Sequence, residues 1–348
     1  MYNTASAQPQ QSKWYFGNYA ALDFMTNPPT PLPSSAMISS HSSASQADAA
    51  GNLLFYTNGI TVYNSSHVVM ANGTGLLGIG SPFQSCLIVQ KPGAANLHYI
   101  FTVVGNGWPG GLNYSVVDMS LAAGLGSVTA KNYSLFTAPV DEKITGTLHC
   151  NGTDYWIVIH ENNSNIFRSY LLTASGVTTV AVVSSVGPGN ASFANFMKIS
   201  PSGNKLAATE RKLGNTVHDM SLYDFDNTSG VVSNYQSVYS GFHPVQGNGL
   251  DFSPNGSKLY GTDYTFVGNI PGSIHQWDLC AGTPTAVAAS HYSVATPPQG
   301  MSMQLAINGK IYISQLGNAP FGYNSIGVIN NPNSSGAACN YVASGQTL

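Results

Sequence analysis

The chain has very few charged residues. Only 7% of its 348 residues are Asp, Glu, Lys or Arg, against roughly 25% in an ordinary soluble domain. The 11 basic residues form no run and the net charge is −3, so the basic stripe typical of nucleic-acid binding is missing and nucleic acid is not an expected partner. Gly, Ser, Asn, Thr and Tyr supply the polarity instead, a composition common in secreted all-β proteins.

Long apolar runs are also missing. No stretch approaches the roughly 18 apolar residues of a membrane-spanning helix, so no membrane span is expected. Residues 1–12 are small and polar, and Ala5-Ser6-Ala7 resembles the end of a signal-peptide cleavage site without the charged and hydrophobic parts that precede one. We interpret residues 1–12 either as a disordered terminus or as a signal-peptide remnant, and residues 13–348 as one domain.

Cysteine is scarce and its spacing is not that of a metal site. The 4 cysteines include no CxxC pair, so a zinc site is not indicated. Cys280 and Cys339 lie in turn-rich, glycine-flanked segments, and a disulfide between them is one option in an oxidising compartment. Cys86 and Cys150 lie in apolar segments predicted to be strands, where a free cysteine behaves as a small buried hydrophobe.

What the sequence does contain is a phrase that returns every 50 residues or so. A glycine, a polar residue and a short apolar run recur at Gly51-Asn52-Leu53-Leu54-Phe55-Tyr56, Gly152-Thr153-Asp154-Tyr155-Trp156, Gly203-Asn204-Lys205-Leu206-Ala207, Gly256-Ser257-Lys258-Leu259-Tyr260 and Gly309-Lys310-Ile311-Tyr312-Ile313. These glycines stand 101, 51, 53 and 53 residues apart, and Pro92-Gly93 falls in the double interval. Because helical periodicity is nearly absent, the repeat predicts an all-β fold, a β-propeller of four-stranded blades.

The number of blades is less certain than the fold. Six repeats can be delimited, at about 40–80, 81–138, 139–188, 189–242, 243–295 and 296–348. Residues 13–39 are left over and are predicted to contribute closing strands. Either six blades close with an N-terminal strand, or a seventh blade begins here and is completed by residues beyond Leu348. The spacing does not decide between these two.

Several longer phrases identify a family resemblance. They are Trp14-Tyr15-Phe16-Gly17 with Leu22-Asp23-Phe24, the run from Gly51 to Gly59, Asn72-Gly73-Thr74-Gly75-Leu76-Leu77-Gly78, Tyr114-Ser115-Val116-Val117-Asp118-Met119, Asn151 to Trp156, Ile329-Asn330-Asn331-Pro332-Asn333 and Cys339-Asn340-Tyr341. With them, nearly the whole chain resembles the N-terminal propeller regions of secreted surface proteins of Bacteroidetes, which carry PKD-type or gliding-motility-associated C-terminal modules downstream. The resemblance implies type IX secretion, a cell-surface or extracellular location, further domains downstream and a seventh blade, but no particular activity.

One face of the predicted propeller gathers polar side chains. Loops that enter first strands and leave second strands share this face around the central channel. Its candidate ligand-binding residues are Asn58, Gln84, Trp108, Glu142, Glu161, Asn195, Glu210, Asn248, Asp263, Gln299 and Gln315. The three glutamates of the chain all belong to this set, and with Asp263 they are candidate oxygen ligands for Ca²⁺. The alternative is that these side chains bond loop backbone at strand ends.

A second ring is predicted to line the channel from the first strands. Equivalent positions carry Gln46, Thr147, Lys198, Asp251 and Gln304. Lys198 and Asp251 belong to neighbouring repeats, so an ion pair between two blades is expected. We interpret the role of these five side chains as structural.

Catalytic candidates rest on residue type alone. They are His149, His160, Glu161 and Glu210, since a histidine beside a carboxylate suits a general base. His160 and Glu161 are adjacent on a predicted strand, however, so their side chains point to opposite faces. No motif of a serine hydrolase, zinc protease or phosphate loop stands in a credible context.

Three functions are compatible with these patterns. The leading hypothesis is a binding or adhesion module that recognises carbohydrate or protein through the channel-mouth face. The alternative is a metal-assisted hydrolase or lactonase, or a polysaccharide lyase, that uses the carboxylate cluster. The third hypothesis is an architectural subunit that self-assembles in a surface filament. Whether the protein is an enzyme stays open at this point.

Overall fold

The protein is a seven-bladed β-propeller. The computed structural model describes residues 9–33, 35–39, 42–78, 84–105, 108–189, 196–211, 218–242, 249–263, 272–296, 300–315 and 324–348. Within them, seven antiparallel sheets follow one another along the chain. The predicted all-β propeller is confirmed.

The strands of the first three blades cover the N-terminal part. Blade 1 contains β1 (Lys13–Phe16), β2 (Ala20–Asp23) and β3 (Thr30–Pro31). Blade 2 contains β4 (Ala44–Ala47), β5 (Leu53–Thr57) and β6 (Val62–Asn64). Blade 3 contains β7 (Cys86–Gln90), β8 (Leu97–Val103), β9 (Leu112–Asp118) and β10 (Ser127–Phe136).

The remaining four blades have four or five strands each. Blade 4 contains β11 (Val140–Leu148), β12 (Tyr155–Glu161), β13 (Ile166–Thr173), β14 (Gly176–Val177) and β15 (Val182–Ser185). Blade 5 contains β16 (Met197–Ile199), β17 (Lys205–Arg211), β18 (His218–Asp226) and β19 (Val231–Phe242). Blade 6 contains β20 (Leu250–Phe252), β21 (Lys258–Asp263), β22 (Ser273–Asp278) and β23 (Tyr292–Ala295). Blade 7 contains β24 (Gly300–Leu305), β25 (Ile311–Gln315), β26 (Ser325–Ile329) and β27 (Tyr341–Thr347).

Helices are few and short in the described residues. The α-helix Pro284–Ala289 begins with a proline, and the Thr283 hydroxyl caps it by accepting a hydrogen bond from Ala286 N. Three 3₁₀ turns cover Pro9–Gln11, Ala122–Gly124 and Gly336–Cys339. No helix in the described part of the chain is long and apolar enough to cross a bilayer.

The repeated phrase forms the turn between the first and second strands of a blade. In blade 5, Ser200 N donates to Lys205 O and Gly203 N donates to Ser200 O. Gly203 adopts a φ of 71°, a left-handed conformation that favours glycine. Blade 6 repeats the same two hydrogen bonds from Ser253 and Gly256. Hairpin chemistry is therefore the physical reason for the period that the sequence shows.

The core lies between blades rather than within them. Leu222 of blade 5 packs with Leu250 and Trp277 of blade 6. Phe101 of blade 3 packs with Ile157 of blade 4 in the same manner. Trp277, Phe101 and Ile157 are fully buried, and burying a large apolar side chain contributes roughly 1.5–3 kcal/mol. Alternating apolar residues on the strands thus join each sheet to the next one around the ring.

The N-terminal residues form a blade of their own. Strands β1, β2 and β3 constitute a separate sheet, and β24 to β27 form the last sheet without a strand from the N-terminus. The alternative of six blades closed by an N-terminal strand is therefore wrong, and seven blades are confirmed. Blade 1 packs on blade 7 through side chains: the rings of Phe24 and Tyr312 lie 5.0 Å apart, and Gln346 Nε2 donates to Pro29 O at 2.9 Å.

The turn that precedes β1 is folded against the blades. Of the predicted disordered terminus or signal remnant, residues 1–8 lie outside the described residues. Pro9–Gln11 forms a 3₁₀ turn, and Ser12 is fully buried. Gln46 of blade 2 reaches this turn, since its Nε2 lies 3.5 Å from Gln10 O. Residues 9–12 therefore belong to the folded domain.

The cysteines are free thiols, and two expectations about them need correction. Cys280 and Cys339 are free thiols rather than a disulfide; Cys339 is buried between blades 6 and 7, and Cys280 is exposed. Cys150 is exposed rather than buried, since it lies in the turn after β11 has ended. Cys86 is buried as expected, and its burial raises the pKa of its thiol to about 11.

A buried histidine predicts how the fold responds to acid. His98 of blade 3 is 1% exposed and lies against Phe55 of blade 2, with ring centroids 5.4 Å apart. Burial lowers its pKa from 6.5 to about 4. Between those two pH values the unfolded chain binds a proton that the folded protein does not, so stability decreases as pH falls, by roughly 3 kcal/mol over the window.

We expect His98→Leu to reduce this acid sensitivity. Urea unfolding at pH 7 and at pH 4.5 measures it for both proteins. The drop in unfolding free energy between these pH values is predicted to be smaller in the variant by about 2 kcal/mol, because leucine has no proton to gain. Equal drops in both proteins would show that His98 is protonated in the folded state.

Candidate functional site

The predicted ligand-binding residues belong to what we call the upper face, where the second strands β5, β12, β17, β21 and β25 end. Asn195, Asn248 and Gln299 lie outside the described residues. The structure places the other eight, and most of them are already engaged with neighbouring protein groups. Their partners show what is left for a ligand.

Glu161 is paired within the wall of the propeller. Its Oε1 accepts a hydrogen bond from Arg168 Nε at 2.6 Å. The Arg168 guanidinium lies 4.2 Å from the centre of the Phe136 ring of blade 3, a cation–π arrangement. The Glu161 and Arg168 side chains are 17% and 24% exposed. Glu161 therefore stabilises the boundary of blades 3 and 4.

Glu210 is satisfied by two hydroxyl groups of the next strand. Ser221 Oγ donates to its Oε2 at 2.9 Å, and Tyr223 Oη donates to its Oε1 at 2.5 Å. Glu210 is 2% exposed. Burial and the neighbouring Glu210 carboxylate hold the pKa of Tyr223 well above its usual value, so the phenol stays protonated and keeps donating. The carboxylate is held by these two hydrogen bonds rather than presented to solvent.

Asp263 ends a line of polar groups in blade 6. Its Oδ1 accepts from Ser273 N at 2.5 Å, and its Oδ2 lies 3.6 Å from His275 Nε2. His275 Nδ1 and His291 Nε2 are 2.8 Å apart and share a hydrogen bond. Burial and the neighbouring His275 lower the pKa of His291, against the opposing effect of Asp263. Asp263 thus interacts with imidazole groups inside its own blade.

The predicted calcium ligands do not converge. Glu142 is 2% exposed, and a Cβ on Gly105 would stand 2.2 Å from its Cγ, so the backbone of blade 3 covers it closely. In the part of the chain that the structure describes, no three His, Cys, Asp or Glu side chains are grouped as a metal site. Glu142, Glu161, Glu210 and Asp263 are therefore not assembled there into one ligand set.

A bulge at the start of blade 4 carries Glu142 and two further charged residues, Asp141 and Lys143, that the sequence did not indicate as site residues. Val140 pairs with Glu161 and Ile144 pairs with Ile159. Residues 141–143 therefore stand opposite His160 alone. Bulges of this kind re-aim side chains at the end of a strand. Here the bulge turns Asp141, Glu142 and Lys143 into buried positions.

These side chains form a buried polar network. Asp141 Oδ2 lies 2.7 Å from His160 Nδ1 and 3.3 Å from Lys143 Nζ, and Asn162 Nδ2 donates to Asp141 Oδ1 at 2.9 Å. Lys143 Nζ also donates to Thr209 O of blade 5 at 3.3 Å. Burial alone would raise the pKa of Asp141, but the Lys143 ammonium and the His160 hydrogen bond lower it below its usual value. The network ties blades 4 and 5 together.

The four catalytic candidates do not form one constellation. His160 turns inward to Asp141, and Glu161 turns to Arg168, as the alternation along a strand predicts. His149 lies beyond the other end of β11, where its Nδ1 accepts from Asn151 N at 3.0 Å and its Nε2 lies 3.3 Å from Thr228 O. It therefore lies at the opposite end of the strands from Glu161, on what we call the lower face.

The predicted ion pair between first strands is present. Lys198 Nζ of blade 5 lies 3.8 Å from Asp251 Oδ2 of blade 6, and it also donates to Gln304 Oε1 of blade 7. Asp251 Oδ2 accepts from Leu305 N at 2.8 Å. Burial raises the pKa of Asp251 in spite of the Lys198 charge. Three of the predicted channel residues thus join three blades.

The other two channel candidates are engaged locally. Gln46 is 7% exposed, and its Nε2 donates to Ala47 O at 2.9 Å. Thr147 is half-buried, and its Oγ1 would lie 3.6 Å from a Cβ on Gly203 of blade 5. Both side chains serve contacts between neighbouring segments.

Three amide side chains of the upper face bond backbone. Asn58 Oδ1 accepts from Ile60 N at 3.0 Å and from Thr61 N at 2.9 Å. Gln84 Oε1 accepts from Met197 N of blade 5 at 2.9 Å. Gln315 Nε2 donates to Ala343 O at 2.7 Å. These contacts match the alternative interpretation, in which polar side chains at strand ends bond loop backbone.

Exposed apolar side chains occupy the upper part of blades 1 to 3. We call Tyr19, Ile38, Leu77 and Tyr133 the upper aromatic surface; they are 47%, 55%, 43% and 56% exposed. Trp108, in the β8–β9 loop of blade 3, is 65% exposed. Trp108 is one of the ligand-binding candidates predicted from the sequence. The other four are not, because they come from turns and an outer strand without a common repeat position.

Hydrogen bonds connect the segments that carry these side chains. Tyr19 N donates to Met37 O, the residue before Ile38, and Asn58 Nδ2 donates to Ile38 O at 3.3 Å. Gly78 N donates to Gly59 O at 2.9 Å, and Leu77 N donates to Asn132 Oδ1 at 3.2 Å. The segments that carry the four exposed side chains are therefore linked to one another through Asn58, Gly59 and Asn132.

The polar network of blade 4 predicts a large stability effect. We expect Lys143→Met to destabilise the fold by roughly 3–5 kcal/mol, because it leaves the buried Asp141 carboxylate without its ammonium partner. Lys205→Met is the matched control, since Lys205 and Asp224 form an exposed pair with side chains 41% and 37% exposed, and such pairs contribute about 1 kcal/mol or less. Equal losses in chemical denaturation would contradict the account.

Comparisons with known proteins bear on the fold. No protein-family model matches the chain, and no curated protein matches it. A solved structure of Kuenenia stuttgartiensis hydrazine synthase is 15% identical, covers 88% of this chain and 90% of its own, and has a TM-score of 0.53. A putative 6-phosphogluconolactonase from Bacteroides uniformis is 12% identical, covers 95% of this chain and 96% of its own, and also has a TM-score of 0.53. At such low identity the likeness shows a shared fold.

Proposed function

We propose that this protein is an extracellular binding module that recognises carbohydrate through the upper aromatic surface. The observation that carries the proposal is the group of exposed apolar side chains on hydrogen-bonded segments of blades 1 to 3, which includes two tyrosine rings. Contiguous exposed apolar patches on soluble proteins mark interaction sites.

The chemistry of the surface favours a neutral, partly apolar ligand. A pyranose ring has a face of C–H groups that stacks on an aromatic ring, and hydroxyls around its edge that need polar partners. Asn58 and Asn132 stand between the exposed side chains. Lys131 Nζ is held by Asn72 Oδ1 at 2.8 Å, beside Asn132. Aromatic rings framed by amides therefore suit a sugar better than a charged ligand.

The backbone of Tyr19 supports a functional role for its ring. Tyr19 adopts a φ of 67°, a left-handed conformation that bulky residues rarely occupy. Such a conformation costs on the order of 1–3 kcal/mol and concentrates at functional sites. In the turn between β1 and β2, a glycine or asparagine would avoid this cost. A tyrosine that is strained and 47% exposed is better explained by binding than by stability.

The extracellular location is part of the proposal. Two observations support it: the surface is built of hydroxyls and amides with 7% charged residues, and long phrases resemble exported surface propellers of Bacteroidetes.

A hydrolase or lyase would need converging carboxylates. Glu161 and Glu210 are instead held by Arg168 and by hydroxyls, so no observation favours the enzyme alternative over binding.

A glycan array probed with the purified protein tests this function. We expect binding to a subset of glycans, and at least a tenfold loss of affinity, about 1.4 kcal/mol, in Tyr19→Ala combined with Tyr133→Ala. Tyr292→Ala is the matched control, because Tyr292 is 41% exposed on blade 6, away from the surface.

The outcomes separate the alternatives. Folded protein that binds no glycan but captures a protein partner through Tyr19 and Tyr133 would replace carbohydrate by protein as the ligand. Glycan binding that is unchanged in the double variant, or equally weakened by Tyr292→Ala, would contradict the assignment of the surface. Thermal melts of all variants check folding, since exposed substitutions usually change stability by within about 0.5 kcal/mol.

A further inference from the structure

The outer strands of a propeller present a recurrent problem. The outermost strand of each blade has an edge with unpaired backbone N–H and C=O groups, which can pair with another chain. Soluble proteins suppress this pairing with proline, charge, bulges or covering segments. The described blades of this protein differ in how they treat that edge.

Blade 1 has an edge without donors. Leu32 N donates to Ala21 O at 3.0 Å, so the N–H groups of Thr30 and Leu32 face β2. The alternate residues, whose nitrogens face outward, are Pro29, Pro31 and Pro33. Because proline has no N–H, this edge offers no hydrogen-bond donor to a second strand.

Other edges are covered or broken by bulges. In blade 2, Asn64 N donates to Val68 O and Met70 N to Val62 O, both at 2.9 Å, so the segment after β6 covers it. The outer strands β10, β23 and β27 pair for at most two consecutive residues before a register shift. Strand β19 pairs for at most three consecutive residues before a register shift. Its Val232 N donates a hydrogen bond to Ser184 Oγ at 2.9 Å.

The outer edge of blade 4 is interrupted between β14 and β15, by a loop that includes residues 179–181. After this loop, β15 pairs with β13 over four consecutive residues without a register shift, and no described segment is hydrogen-bonded as a further strand of its sheet. Val186 N donates to Asn165 O, so by alternation the backbone of Val183 and Ser185 faces away from β13. Val183 is 53% exposed, and Val180 in the loop is 81% exposed. This edge contains neither proline nor a charged residue.

The composition around this edge favours pairing with itself. In a two-fold contact each residue meets its own counterpart or a near neighbour, so any charge faces a like charge. Residues 169–197 contain no Asp, Glu, Lys, Arg or His, in a segment rich in valine and threonine. Neutrality over this length removes the repulsion that would otherwise oppose a homotypic contact.

We propose that β15 pairs antiparallel with β15 of a second copy of this chain. A two-fold axis beside Ser184 sets Val183 of each copy against Ser185 of the other, and these pairs exchange about four backbone hydrogen bonds. The exposed Val180 and Val183 side chains add apolar contact on either side. A four-residue edge buries less area than the roughly 1,200 Å² of a stable interface, so the dimer is weak and depends on concentration.

Sedimentation velocity over a wide range of protein concentration tests the dimer. We expect a shift from monomer to dimer at high concentration in the wild type, and at least a tenfold weaker association in Val183→Pro and in Val183→Lys. The proline removes an N–H that faces away from β13 and so makes no hydrogen bond in the described sheet, and the lysine sets like charges across the axis. Val68→Lys is the control, since Val68 is 55% exposed on blade 2.

Hydrogen exchange locates the contact. Protection of the Val183 and Ser185 amides is predicted to rise with concentration in the wild type and not in Val183→Lys. A protein that stays monomeric at its highest soluble concentration would overturn the proposal. So would a dimer that forms equally well in Val183→Lys, or one that Val68→Lys weakens as much. These readouts do not involve the upper aromatic surface, so they are independent of the proposed function.

Discussion

The structure depends on the burial of apolar strand faces between neighbouring blades. A single sheet of three to five strands cannot bury its apolar faces by itself. Each blade therefore needs a neighbour on both sides, and the first and last blades need each other. Phe24 and Tyr312 supply that last contact, with Leu22 and Val328 beside them. Because the two sheets share no strand, the closure of the ring rests on side chains.

The same constraint explains where the few charges are placed. Asp141, Lys143, Glu210 and Asp251 are all nearly fully buried, and each has a partner on another strand or blade. Buried charges of this kind fix how segments meet, because a wrong register leaves them unpaired. The outside of the propeller has few charges, among them the exposed pair Lys205 and Asp224. A sparsely charged exterior suits a ligand without charge and allows an edge such as β15 to meet its own copy.

The repeat was enough to predict the fold because the hairpin turn and the alternation of apolar residues are local. It also placed Lys198 and Asp251 at equivalent positions of neighbouring blades, and their pairing follows from the ring. The repeat was not enough to predict the contacts of the upper face. Residue type shows that Glu210 is polar but not that Ser221 and Tyr223 of the next strand hold it. The bulge at residues 141–143 and the exposed Tyr19 and Tyr133 lie outside the periodic pattern, so no alignment of repeats could find them.

We place the ligand on blades 1 to 3 rather than in the central channel. A crystal structure of the protein with an oligosaccharide from the glycan array tests this most directly. We expect a pyranose ring stacked on Tyr19 or Tyr133, with its hydroxyls toward Asn58 or Asn132. An oligosaccharide bound beside Lys198 and Asp251, or on the lower face near His149, would contradict it.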